Sequence, residues 1–171
     1  LNFDVKGKKI NFYNLLTLLN RDTKDKKIGI YYPIGSEIST LELIENLRKK
    51  KYKISLPVLE NNFRMSFFEW NKKTPLKINR FGIPEPISSK ILYPDILLVP
   101  LVGYDNNLNR LGYGGGFYDR YIEKIEKIKN VIKIGLAFSF QEITSVPKNQ
   151  YDKKLDFIMT EKEILRWEYY F

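Results

Sequence analysis

Apolar positions recur along this chain with two periods, and the period switches repeatedly. From about Lys9 to Leu19, the residues Ile10, Phe12, Tyr13, Leu15, Leu16 and Leu19 fall at helical spacing. Lys27–Tyr32 is a short apolar run ended by Pro33 and predicts a strand. Ser39-Thr40-Leu41-Glu42 fits a capping box, and Leu41, Leu43, Ile44 and Leu47 follow as one helix face. Lys53–Val58 predicts a second strand, interrupted by Pro57, and Phe63–Trp70 alternates loosely as a third. Lys72–Tyr93 reads as loop, with Pro75, Pro84, Pro86 and Pro94 in or beside it.

Ile96-Leu97-Leu98-Val99, bounded by Pro94 and Pro100, is a continuous apolar run of the kind that suits a strand buried on both faces. A glycine cluster follows at Gly112–Gly116. Tyr118–Lys129 predicts a helix with Tyr121, Ile122, Ile125 and Ile128 on one face. Val131–Phe138 and Leu155–Met159 predict the last strands. Strands alternating with helices give an α/β domain with a mainly parallel sheet and helices on both sides. No internal repeat, low-complexity tract or linker is visible, so residues 1–171 are expected to form a single domain.

Composition narrows the chemistry. The chain has 171 residues, 43% hydrophobic and 15% aromatic, enough for a sizeable core. No apolar run approaches the roughly 20 residues of a membrane span. There is no Cys, hence no disulfide or thiolate chemistry, and no His, hence no His base or His-ligated metal. Any reaction must use Asp, Glu, Lys, Arg, Tyr, backbone amides or a hard cation. The net charge of +9 attracts anions, but only seven of the 29 basic residues are Arg. The lysines are spread out, with short runs at Lys49–Lys51 and Lys72–Lys73, as on a solvated surface.

The informative stretch is Asp105–Arg120. Four of the five residues Gly112–Gly116 are glycine, set between a buried strand and a helix start. Backbone N–H groups and the helix dipole there favour an anion, and open α/β sheets bind ligands beyond the carboxyl ends of their strands. The cluster is neither a P-loop, since no Gly-Lys-Ser/Thr follows, nor a dinucleotide fingerprint, since Phe117 takes the place of the third Gly. A tight structural turn is the alternative, which the flanking Arg110, Asp119 and Arg120 make less attractive. Asp119 is either a helix cap or, beside a phosphate, a Mg²⁺ ligand. A second carboxylate is then needed, and Asp152 and Asp156 are the candidates. Glu37, after the first strand, is either a solvated loop acid or an acceptor for a polar donor on a ligand. By spacing, Met65, Phe67, Phe68 and Trp70 suit core better than pocket. Phe81–Pro86 is rigid enough for a pocket wall.

Taken in order, these segments resemble the 5-formyltetrahydrofolate cyclo-ligase family. The resemblance is carried by Tyr31-Tyr-Pro-Ile-Gly-Ser-Glu-Ile-Ser-Thr40, Leu56-Pro-Val58, Met65-Ser-Phe67 with Trp70, and Phe81-Gly-Ile-Pro-Glu-Pro86. Pro94-Asp-Ile-Leu-Leu-Val-Pro100, Arg110-Leu-Gly-Tyr-Gly-Gly-Gly-Phe-Tyr-Asp-Arg120, and Asp152 with Leu155-Asp156 and Thr160-Glu161 complete it. The match covers about residues 27–161. It implies a three-layer α/β/α domain and a cytoplasmic, ATP- and Mg²⁺-dependent ligase of one-carbon metabolism, expected as a monomer without nucleic-acid or membrane partners. It also implies residue roles. Arg110, Leu111, Gly112, Tyr113, Gly114, Gly115, Gly116, Phe117 and Tyr118 would bind ATP. Tyr32, Glu37 and Met65, with Tyr113 to Phe117, would bind the folate. Asp119 and Asp152 would hold Mg²⁺.

The chain departs from the family at several points. The match begins after the family's basic Lys-x-x-x-Arg helix, so that helix is expected to be lacking, and Lys6, Lys8 and Lys9 do not reproduce it in register. Leu108 stands where the family has Gly, which implies an altered turn. Tyr151 replaces a frequent His, and Phe117 a common Tyr. Two other classes compete: a non-catalytic folate- or nucleotide-binding relative, suggested by the missing helix, and a nucleic-acid binder, suggested by charge alone.

Overall fold

The computed structural model describes residues 10–19 and 25–167. Lys6, Lys8 and Lys9 lie outside them, as do the side chains of Phe12, Leu16 and Leu19. Among the described residues three α-helices, α1 (Phe12–Leu19), α2 (Leu41–Lys49) and α3 (Phe117–Glu126), cover a seven-stranded sheet. Its strands are β1 (Lys27–Gly29), β2 (Lys53–Leu59), β3 (Met65–Glu69), β6 (Ile96–Pro100), β9 (Ile132–Leu136), β10 (Phe157–Met159) and β11 (Ile164–Arg166), ordered β11-β10-β9-β6-β1-β2-β3. The five central strands run parallel, and the edge strands β3 and β11 pair antiparallel.

Two cores follow from the alternation along β6, which is buried throughout. Ile96 and Leu98 join Leu15 of α1 and Leu43, Ile44 and Leu47 of α2 on one face. Leu97 and Val99 meet Tyr121, Ile122 and Ile125 of α3 on the other. The layers are therefore α/β/α, as expected. Pro57 does not break β2. β1 has ended opposite Ser55, and the carbonyl of Phe67, the partner of Pro57, turns away to accept from Leu92 N–H, so the missing donor costs no ladder bond.

Several expectations need correction. The capping box is not formed: Thr40 is the residue before α2, and its buried hydroxyl donates to Tyr31 O at 2.7 Å. Leu41 is exposed rather than part of the buried face. α3 starts a residue early and stops at Glu126, leaving Ile128 exposed. The supposed loop Lys72–Tyr93 holds a two-stranded ribbon, β4 (Leu76–Ile78) with β5 (Pro84–Pro86). Buried Glu85 fastens this ribbon by accepting from Leu59 N–H and Asn79 Nδ2, both at 2.8 Å. A further hairpin, β7 (Gly103–Tyr104) with β8 (Arg110–Leu111), and strand β11 were not anticipated.

Candidate active site

The chain leaves β1 through α2 toward β2 on one side and leaves β6 through α3 toward β9 on the other. The connections diverge between β1 and β6, so a crevice opens at the carboxyl ends of these strands. A cleft of about 1310 Å³ lies there. Tyr32 and Glu37 enter from the loop after β1, Met65 from the start of β3, and Arg110 to Arg120 from β8, the glycine loop and α3. Asp152 enters from the segment before β10. Every residue to which the resemblance assigns a role thus borders one cavity.

The glycine loop is shaped by close approaches. Gly116, at φ 67°, is left-handed just before α3, a conformation glycine adopts without a steric penalty. A β-carbon at Gly112 would stand 2.8 Å from a terminal nitrogen of Arg110. The first hydrogen bond of α3 runs from Arg120 N–H to Gly116 O at 3.1 Å. The N–H groups of Phe117, Tyr118 and Asp119 precede that pattern and carry no side-chain cap, an arrangement that favours a bound anion.

Asp119 lies in the first turn of α3 and is not its cap. Its Oδ1 pairs with the buried Arg110 guanidinium at 3.3 Å and accepts from Lys153 N–H at 3.1 Å. Arg110 Nε is buried with no hydrogen-bond partner among the described residues. Asp152 Oδ2 accepts from Asn149 N–H at 2.8 Å. Asp156 is elsewhere: it precedes β10 at the amino end of the sheet and accepts from Lys133 N–H at 2.8 Å. Its part in the cleft is therefore excluded. Among the described residues, no group of three or more His, Cys, Asp or Glu side chains could hold a metal. The donor set is instead two separate carboxylates, each with one oxygen bound to protein and the other without a protein partner among the described residues. Mg²⁺ takes one or two carboxylates and completes its shell with phosphates and water, so these residues fit it.

Glu37 Oε2 accepts from Ile34 N–H at 2.9 Å. Burial raises its pKa above the ordinary carboxylate value, although the bonds from Ile34 and Tyr113 counteract this. Tyr113 in turn is pushed up to about 12, by burial first and by the Glu37 charge second. Burial likewise drives Tyr118 well above the ordinary phenol value. For a raised folded pKa, the stability linked to Glu37 is present at low pH and lost as pH rises through the folded value. The charged carboxylate therefore costs stability at pH 7. Glu37→Gln is expected to keep or raise the thermal midpoint at pH 7, with the gain disappearing near pH 4. A lower midpoint at pH 7 would contradict this.

Met65 and Phe67 belong to the core facing α3, and Met65 also borders the cleft. Trp70 packs in the opposite core under the Arg48 guanidinium, 3.9 Å from its ring centre. Phe81 and Ile83 line the cleft, as a pocket wall would. At Leu108 the backbone is left-handed, φ 61°, with a buried leucine side chain. Sequence reasoning missed Phe63, Arg64 and Lys124, which also border the cleft. The Asn61-Asn62 pair, a turn signal at the head of the Phe63–Trp70 run, could have flagged the first two.

Fold and cleft together define an open-sheet α/β protein with a cleft at its topological switch point. The profile of the 5-formyltetrahydrofolate cyclo-ligase family matches residues 12–161. A Haemophilus influenzae protein named 5-formyltetrahydrofolate cyclo-ligase is 38% identical over 76% of this chain and 73% of its own. The solved structure of Aquifex aeolicus 5,10-methenyltetrahydrofolate synthetase superposes with a TM-score of 0.71 at 29% identity, covering 90% of this chain and 79% of that one. The Mycoplasma pneumoniae 5,10-methenyltetrahydrofolate synthetase superposes at 0.68 with 25% identity, covering 87% and 81%. The chain belongs to the 5-formyltetrahydrofolate cyclo-ligase family and is an enzyme of the ligase class.

Proposed function

We propose that this enzyme converts 5-formyltetrahydrofolate to 5,10-methenyltetrahydrofolate, using ATP. One observation carries the reading: the anion cradle of the glycine loop and the Glu37 pocket open into the same cleft, so a phosphoryl donor and a folate would lie side by side. The formyl oxygen attacks the γ-phosphorus and ADP leaves. N10 then attacks the activated carbon, loses its proton, and the oxygen departs with phosphate. The nucleophile is the substrate's own, which suits a chain without His or Cys. The protein holds the reactants together and stabilises charge on the transferred group.

Arg110, Arg120 and the α3 N-terminus face the phosphates, while Glu37 accepts from a polar N–H of the folate. Asp119 and Asp152 would hold Mg²⁺, which neutralises phosphate charge when bound. Glu37→Gln exchanges a charged acceptor for a neutral one and is expected to raise KM for the folate about 10-fold. A KM within twofold of wild type would remove Glu37 from the folate site.

The activity is tested by the near-ultraviolet absorbance of methenyltetrahydrofolate. Absorbance is expected to grow only with protein, ATP and Mg²⁺ all present. Growth without ATP, or none despite bound folate, would overturn the proposal.

A further inference from the structure

Phe63 occupies a backbone position that suits it poorly. The β2–β3 hairpin turns through Asn61-Asn62-Phe63-Arg64, where Arg64 N–H donates to Asn61 O at 3.4 Å and Glu60 N–H to Arg64 O at 2.8 Å. Asn62 and Phe63 both have positive φ, 59° and 56°. Two successive left-handed residues give the two-residue turn that matches strand twist, and its second position is ordinarily glycine. Asn tolerates that conformation, whereas a bulky aromatic is a true outlier in it. Nor is burial the compensation, since Phe63 is 55% exposed.

What the turn achieves is placement. The Phe63 ring lies 5.7 Å from the Phe117 ring, and the Arg120 guanidinium is 5.6 Å from its centre. A β-carbon at Gly115 would stand 3.8 Å from Phe63 Cδ1. The hairpin tip therefore brings a ring beside the glycine loop and the first turn of α3, where it is half exposed and borders the cleft. Strain of this kind collects where the surroundings over-determine a residue for use.

We propose that Phe63 is a ligand-binding residue, supplying a stacking face to a planar ring of a bound substrate. This rests on the reading that the cleft takes a nucleotide and a folate, and either could supply the ring. Arg120 and Phe117 steady Phe63 from the protein side, so the exposed ring is held in place before a ligand arrives.

Phe63→Gly tests the idea, because glycine relaxes the turn while removing the ring. Its thermal midpoint is expected to equal or exceed that of wild type. By calorimetry, with 5-formyltetrahydrofolate alone and with a non-hydrolysable ATP analogue plus Mg²⁺, one Kd is expected to rise about 5- to 100-fold and the other to stay within twofold. The ligand that weakens identifies the ring. Phe63→Leu, which keeps the strain and bulk but has no aromatic face, is expected to show the same weakening, and Phe63→Tyr to restore binding. Both Kd values unchanged in Phe63→Gly, with wild type binding normally, would overturn this proposal alone. A lowered midpoint with both ligands weakened equally would make the ring structural and overturn it too. Failure of the wild-type protein to bind either ligand would overturn the cleft reading and this proposal with it.

Discussion

Asp119→Asn is expected to lower turnover about 100- to 1000-fold at saturating ATP and folate, the size of loss seen when a group stabilising transition-state charge is removed. The substitution is nearly isosteric, and the amide oxygen can still accept from Lys153 N–H, the 3.1 Å bond that ties α3 to the segment bearing Asp152. What disappears is the negative charge opposite Arg110, whose side chain is only 6% exposed and whose Nε has no partner among the described residues. An uncompensated buried cation costs stability, here about 1–3 kcal/mol, since the Asn oxygen remains nearby. The far-ultraviolet circular dichroism at 25 °C should be that of wild type. Because the proposed role is metal binding, the Mg²⁺ concentration for half-maximal rate should also rise. Turnover within twofold of wild type would remove Asp119 from the machinery.

Asp105→Ala is expected to give the largest loss of stability, at least about 3 kcal/mol, because it strips a buried carboxylate of several bonds at once. Asp105 is 2% exposed. It accepts from Asn107 N–H, from Asn109 N–H and Nδ2, and from Val146 N–H, all between 2.9 and 3.1 Å. Burial alone would raise its pKa, but these bonds outweigh burial and hold it below the ordinary carboxylate value. For a depressed folded pKa, the linked stability is present above the unfolded value, about 3.9, and is lost as pH falls through the folded one. Urea unfolding of the wild type should weaken steeply below about pH 4, and Asp105→Asn should show a shallower decline. Burial would raise Asp95 and Glu126 too, but Lys129 and Lys133 hold them below the ordinary carboxylate value, which adds to the acid sensitivity. An equal acid slope in wild type and Asp105→Asn would refute the assignment.

Asp105 also illustrates what the sequence conceals. Its hairpin, β7 with β8, is two residues on each side, too short for any alternation of apolar and polar positions to register. The turn is fixed by one side chain reaching Val146, 41 residues away. The ribbon of β4 and β5 was hidden for another reason. Pro84 and Pro86 argue against a strand, yet they sit in an isolated two-stranded ribbon that Glu85 anchors to β2. Ser39-Thr40-Leu41-Glu42 has the residues of a capping box, but the Thr40 hydroxyl is drawn to Tyr31 O, a partner no local pattern reveals.

The sequence alone determined the class of the fold and singled out the loop that borders the cleft. Ile96–Val99 reads as a strand because both of its faces are buried, which leaves no polar position to break the run. Gly112–Gly116 reads as a ligand loop because only glycine frees the backbone in that way. Tertiary structure alone decided which charges share the cleft. Asp119, Asp152 and Glu37 reach the carboxyl ends of β1 and β6, whereas Asp95 and Asp156 precede their strands and fasten the amino ends. The same residue type serves opposite ends of the sheet because strand direction and order, set by long-range pairing, fix where each loop emerges. Phe63 follows that logic too. A turn that local sequence would give to glycine holds an aromatic ring, and only the arrival of the glycine loop beneath it provides the reason.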